Sequence, residues 1–207
     1  EYPRTLGHGL SGDLVSVNNA PGFREGEAVT FIPYFNCGIC IACRNGKSNC
    51  CSKLKVFGVH QEGGMVEYLS VPSSLLVHGN ELSYDELALV EPLSIGAHGV
   101  RRANIKQGEN VVIIGVGPIG LASAMFARLK GANVIVLDID NFRLDHCKRV
   151  FGFQHTINVT EADVVNQLRV LTKDDMPTVV IDASGNLQAI NEGFKYMAHG
   201  GRYILVG

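Results

Sequence analysis

From residue 111 onward the sequence alternates short, almost uninterrupted apolar runs with amphipathic stretches, and few folds accept that alternation. The apolar runs are VVIIG (111–115), VIVLD (134–138), TINV (156–159), TVVID (178–182) and the final RYILVG. Helical patterns lie between them near 118–130, 141–151, 162–172 and 187–198. A run that is apolar at every position is buried on both faces, which is the mark of a parallel sheet covered by helices. The reading is therefore an α/β fold with a doubly wound, Rossmann-type parallel sheet in this half.

Within it, GVGPIG (115–120) places Gly115, Gly117 and Gly120 directly after a strand and at the start of a helix. Asp138 ends the next strand, eighteen residues after Gly120. That context makes the glycine spacing a dinucleotide fingerprint. Gly115 permits the tight turn, Gly117 admits the pyrophosphate, and Gly120 lets helix and strand close on each other. The helix N-terminus offers free N–H groups to phosphate. Asp138 is expected to accept the ribose hydroxyls, favouring NAD over NADP. Arg143 stacks over the adenine or offsets that preference.

Residues 1–83 have a different texture. Short β-prone runs (LVSV, AVTFI, MVEYLSV, LLV) are separated by Gly, Pro and Asn, which predicts a mostly antiparallel β domain. A connecting helix over 84–102 follows, with Ser83 as N-cap and Glu86 at the capping-box position; Pro92 either interrupts it or starts a second helix. Residues 84–207 then form the second domain.

Five cysteines, Cys37, Cys40, Cys43, Cys50 and Cys51, crowd into the fifteen positions 37–51. Such crowding suits a shared metal better than separate disulfides, and a reducing, cytoplasmic setting. Four thiolates on a short loop make a closed tetrahedral zinc site, which is structural because no position is open. Cys50 and Cys51 compete as fourth ligand, since only one of an adjacent pair readily faces the metal. Cys147, on an amphipathic helix, reads as buried and inert.

Chemistry must then lie elsewhere. An open zinc that activates an alcohol is one route, and His8 in LGHGLSG and Glu91 in VEPLSIGAH are its candidate ligands. Glu91 stands among Leu89, Val90 and Leu93, where a charge needs a partner. His60 and Glu62 read as a solvated Gly-rich loop or a substrate contact, His98 as a packed or capping histidine, and Asp182 as bounding the cofactor crevice or capping the next turn.

With 207 residues, 46% of them hydrophobic, the chain can bury one large core or two modest ones. A net charge of −2 without a basic stripe gives no support to a nucleic-acid partner. No apolar run approaches a membrane span, and these residues show no secretory n-region or h-region. The chain starts without Met and stops as a strand finishes, so it reads as an internal piece of a longer protein.

Taken together, GHxxSG, the CGxCxxC lobe, EPLSxGxH and GxGPIGL resemble the zinc-dependent medium-chain dehydrogenase/reductase (alcohol dehydrogenase) family, in its sorbitol and hexonate dehydrogenase branch. The similarity covers essentially the whole chain. It implies a GroES-like catalytic domain, here truncated, followed by a truncated Rossmann domain, with catalytic zinc in the cleft between them. By resemblance His8 and Glu91 hold the catalytic zinc, and Cys37, Cys40, Cys43 and Cys51 hold the structural one. Gly115, Gly117, Pro118, Ile119, Gly120, Asp138, Arg143 and the Val206–Gly207 turn would contact NAD. The substrate is then a small-molecule alcohol, and the assembly a dimer or tetramer.

One departure stands inside the chain: the family's GHE motif has Gly9 in place of its Glu. The family's cysteine ligand and proton relay would precede residue 1. The leading expectation is a zinc- and NAD-dependent dehydrogenase of a polyol or sugar acid. A threonine-dehydrogenase-like enzyme uses the same parts, and a non-catalytic NAD-binding homologue with a decayed metal site is the reading in which Gly9 is decisive.

Overall fold

A computed structural model describes residues 3–18 and 20–206. The chain divides into two compact units, Glu1–Glu91 and Pro92–Gly207.

In chain order the first unit holds β1 (Ser11–Asp13), β2 (Ala28–Phe31), β3 (Tyr34–Phe35), the single helical turn α1 (Ile41–Arg44), β4 (Lys55–Val56) and β5 (Leu76–His78). The strands β1, β2 and β5 form one antiparallel sheet in that order, with Thr30 opposite both Ser11 and Val77. The short strands β3 and β4 form a separate ribbon, Tyr34 opposite Val56 and Phe35 opposite Lys55. Everything between these two strands is the cysteine lobe. Val29, Phe31, Val56, Phe57 and Leu87 are buried, and Phe31 meets Phe57 edge to face at 5.3 Å, a favoured aromatic geometry.

Two β-runs of this half behave differently from expectation. The strand near LVSV lies earlier, at Ser11–Asp13; Leu14 still bonds Glu27 and Gly26 through the backbone, and Val15 is exposed. MVEYLSV forms no strand. Its first N–H, from Met65, goes to the Leu6 carbonyl, and Met65 and Tyr68 are exposed.

The long helix α2 (Tyr84–Ala103) starts with the expected capping box. The Ser83 hydroxyl and N–H both donate to Glu86 Oε2, each at 2.8 Å. Pro92 lies inside this helix and neither ends it nor begins a second one.

The second unit continues with β6 (Asn110–Ile114), α3 (Pro118–Leu129), β7 (Asn133–Asp138), α4 (Asn141–Arg149), β8 (His155–Asn158), α5 (Val164–Thr172), β9 (Val179–Asp182), α6 (Leu187–Gly193) and β10 (Arg202–Leu205). All pairings are parallel and the order is β10-β9-β6-β7-β8. This is the doubly wound order, with its switch point between β6 and β9. Alternate residues of the central strands face two separate cores. Val111, Ile113, Val136 and Ile181 pack with Ala124, Ala127, Leu144 and Cys147 on one side. Val112, Ile114, Leu137 and Val180 pack with Val164, Leu168 and Tyr196 on the other. Each such Val, Leu or Ile side chain contributes about 1.5–3 kcal/mol on burial, which is why the central strands are apolar on both faces up to their last residue.

Candidate functional site

Three constellations of this chain carry chemistry, and each is built locally. The first is the cysteine lobe. The Sγ atoms of Cys37, Cys40, Cys43 and Cys51 all lie within 4.8 Å of one another, the only group of three or more metal-ligating side chains so gathered among the described residues. Thiolates ~2.3 Å from a tetrahedral zinc stand about 3.8 Å apart, so the cluster fits that ion. Backbone N–H groups of Cys37 and Lys53 both donate to the Cys51 sulfur at 3.3 Å. The N–H of Cys43, and then that of Ser52, pull the Cys40 thiol down to about 5, so it is a thiolate at neutral pH. Cys50 is exposed and outside the cluster, which resolves the adjacent pair in favour of Cys51. Cys147 is buried, as its amphipathic helix implied.

The second constellation joins His8 and Glu91. His8 Nε2 stands 3.8 Å from Glu91 Oε2; the histidine is half exposed and the carboxylate only 7% exposed. Zinc takes nitrogen and carboxylate oxygen ligands at about 2.0–2.2 Å, so one ion can touch both atoms. Tyr34, which sequence reasoning did not single out, donates its hydroxyl to Glu91 Oε1. Burial first, and then the bond to Glu91, push that phenol well above its usual range. It therefore stays a donor at any working pH.

His8 owes its place to the loop over residues 57–65. Gly63, Gly64 and Met65 donate backbone bonds to Thr5, Gly7 and Leu6 at 2.8, 2.9 and 3.0 Å. A Cβ on Gly63 would strike the Leu6 carbonyl, so only glycine lets the two backbones approach this closely. Glu62 accepts the Thr5 N–H at 2.7 Å, and His60 Nδ1 accepts the Val56 N–H at 3.1 Å. These two side chains brace the loop. His98 is exposed, with Nδ1 3.1 Å from Arg101 Nη2, so of the packed and capping readings the packed one does not hold.

The third constellation is the glycine turn. Gly115 sits at φ +79°, and a Cβ on Gly120 would land on the Gly115 carbonyl oxygen; this is the close helix–strand contact the spacing implied. Above Gly117 the space is open. Asp140, Asp163 and Asn186 cap α4, α5 and α6 with their side chains, whereas α3 begins at Gly117 and Pro118 with no side-chain cap. Open space over uncapped N–H groups at Ile119 and Gly120 fits a pyrophosphate.

Asp138 ends β7 as expected, but its carboxylate is turned into the turn. Oδ2 accepts the Val116 N–H at 2.7 Å, and Oδ1 accepts Ile139 and Asp140 N–H at 2.8 and 3.0 Å. A carboxylate has about four acceptor positions, so it can brace the glycine turn and still accept a ribose hydroxyl. Arg143 Nη1 lies 3.9 Å from Asp138 and its Nε 3.8 Å from Asp140.

Asp182 is fully buried and accepts from the Ser184 N–H and hydroxyl and from the Tyr203 hydroxyl; of its two expected roles it performs the turn cap. Val206 donates to the Asp182 carbonyl at 2.8 Å. Its turn partner, Gly207, lies outside the described residues.

A model of the alcohol dehydrogenase GroES-like domain matches residues 1–81, and one of zinc-binding dehydrogenases matches residues 118–207. The chain is 40% identical over its whole length to L-galactonate-5-dehydrogenase of Escherichia coli K12, covering 61% of that protein. It is 31% identical to sorbitol dehydrogenase of Bacillus subtilis, again over all of this chain and 61% of the relative. Among solved structures, a zinc-binding dehydrogenase of Sinorhizobium meliloti bound to NADP superposes with a TM-score of 0.92 at 31% identity, over all of this chain and 62% of that one. The chain thus spans about three fifths of the length of the relatives it matches.

Proposed function

We propose that the protein, whose two ends match the GroES-like and zinc-binding domains of alcohol dehydrogenases, oxidises a secondary hydroxyl of a polyol or sugar acid, with NAD as hydride acceptor. The observation that carries this reading is the pairing of a nearly buried Glu91 with His8 at 3.8 Å in a family whose relatives handle such alcohols.

When bound at His8 and Glu91, zinc supplies a Lewis acid that makes the alcohol hydroxyl more acidic. Nicotinamide supplies the hydride acceptor. The chain itself contributes placement. His8 and Glu91 present one nitrogen and one carboxylate oxygen. The glycine turn and the start of α3, with Pro118 and Ile119, receive the pyrophosphate. Asp138 receives the adenosine ribose and opposes a 2′-phosphate by its charge, while Arg143 moderates that charge from 3.9 Å. Val206 borders the nicotinamide. The four cysteines hold a second, structural zinc that takes no part in the reaction. Gly9 leaves Glu91 as the carboxylate of this site.

The relatives named above support a hexonate or polyol as substrate, and free thiols suit the cytoplasm. No helix among the described residues is long and apolar enough to cross a membrane. A homo-oligomer, dimeric or tetrameric, accompanies the reading. The test is NADH formation by the whole protein with L-galactonate, other hexonates, sorbitol and L-threonine, with and without a zinc chelator. Chelator-sensitive turnover on a hexonate or polyol supports the proposal. Preference for L-threonine replaces the substrate class, and NAD binding without turnover on any of them replaces the enzyme with a non-catalytic homologue.

A further inference from the structure

We propose that Tyr34 is a positioning residue for Glu91, holding its carboxylate so that Oε2 is the oxygen directed at His8 and at a shared ion. The inference rests on the reading of His8 and Glu91 as a metal pair. The Tyr34 hydroxyl bonds Glu91 Oε1 while Oε2 is the atom 3.8 Å from His8 Nε2, so the two oxygens of one carboxylate have separate tasks. Carboxylate rotation about its last bond is broad and two-fold; a donor fixed on one oxygen removes that freedom and disfavours a grip through both oxygens.

Tyr34 is itself fixed. It lies on β3, opposite Val56, and the chain runs from β3 straight into Cys37 and returns from Cys51 to β4. A ribbon closed by a four-cysteine cluster is a rigid mount for a hydroxyl.

The same hairpin serves the other ligand. Leaving β4, the chain enters the loop whose Gly63, Gly64 and Met65 hold the His8 segment. One arm of the cysteine lobe therefore places Glu91 and the other places His8. Outer partners of this kind orient a ligand and tune the metal it holds.

The test uses the whole protein and Tyr34→Phe, which removes one oxygen and keeps the ring. Metal content, chelator competition and the visible spectrum after cobalt substitution are measured beside kcat and KM. The expected result is a variant that keeps its four-cysteine zinc but holds the second metal about 10- to 100-fold more weakly, with an altered cobalt spectrum. An unchanged spectrum and affinity overturn the role of Tyr34 while leaving the dehydrogenase reading intact. A wild-type protein that holds only the cysteine metal overturns both. Should the variant fail to fold, 3-fluorotyrosine at position 34 asks the same question: its fluorine resonance moves on zinc addition if the hydroxyl serves the metal's carboxylate, and an unmoved resonance overturns the proposal.

Discussion

Asp138 shows how much one carboxylate can do at the end of a strand. It is 7% exposed and takes three backbone N–H groups, including that of Val116 inside the glycine turn. Asp138→Ala leaves the buried Val116 N–H without this partner, and an unsatisfied buried donor costs about 1–3 kcal/mol; chemical denaturation of the variant should show a loss of that order. Asp138→Asn keeps an acceptor and removes the charge, so the ratio of kcat/KM for NAD over NADP should fall while stability changes less. Gly120→Ala drives a methyl into the Gly115 carbonyl and is expected to cost about 1–3 kcal/mol, together with dinucleotide affinity. The place of Asp138 was legible in its spacing, because the fingerprint is local. Its bond to Val116 was not, since the two residues meet only once β6 and β7 lie side by side. Tyr34 was invisible for the same reason: Glu91 is 57 residues away, and nothing in IPYFNC distinguishes a phenol that packs from one that donates.

The sheet elements were legible because each carries a periodicity long enough to read. β6, β7 and β9 fall within a residue of their apolar runs, and the capping box of α2 formed as written. The two-residue strands β3 and β4 could not be read that way; two positions do not make an alternation, and their partner is supplied by the closure of the cysteine lobe. Cys43→Ser should therefore release one zinc per chain and speed hydrogen exchange in β3 and β4, leaving β6–β9 protected.

A second element-scale prediction concerns β10. Burial pushes the Glu109 carboxyl up, but the Arg202 guanidinium, the Lys106 N–H and the Thr178 hydroxyl outweigh it and hold it below the usual range. A carboxylate depressed in the folded state adds stability above its unfolded pKa, and loses it as pH falls through the folded value. Exchange protection of β10 should accordingly fall on acidification below about pH 4 to 5. In Glu109→Gln it should be lower at neutral pH and flatter with pH.

Across the molecule, two compact units each carry their own core and their own ligand: the cysteine lobe with its zinc in Glu1–Glu91, the glycine turn in Pro92–Gly207. Ligands stabilise the unit that binds them, by about 2.7 kcal/mol at a hundred times Kd. In calorimetry of the whole protein, a chelator should lower one transition and NAD should raise the other; a single transition moved equally by both would show that the two cores unfold together. Cys50 has a further consequence for how molecules meet one another. With four thiolates committed to metal and Cys147 buried, it is the sole exposed cysteine of the six. A maleimide should therefore modify Cys50 ahead of the other five in the zinc-loaded protein, giving a natural tethering point for a fluorophore beside the lobe. On storage in air, covalent dimers joined through these six cysteines should be linked at Cys50 and vanish in Cys50→Ser.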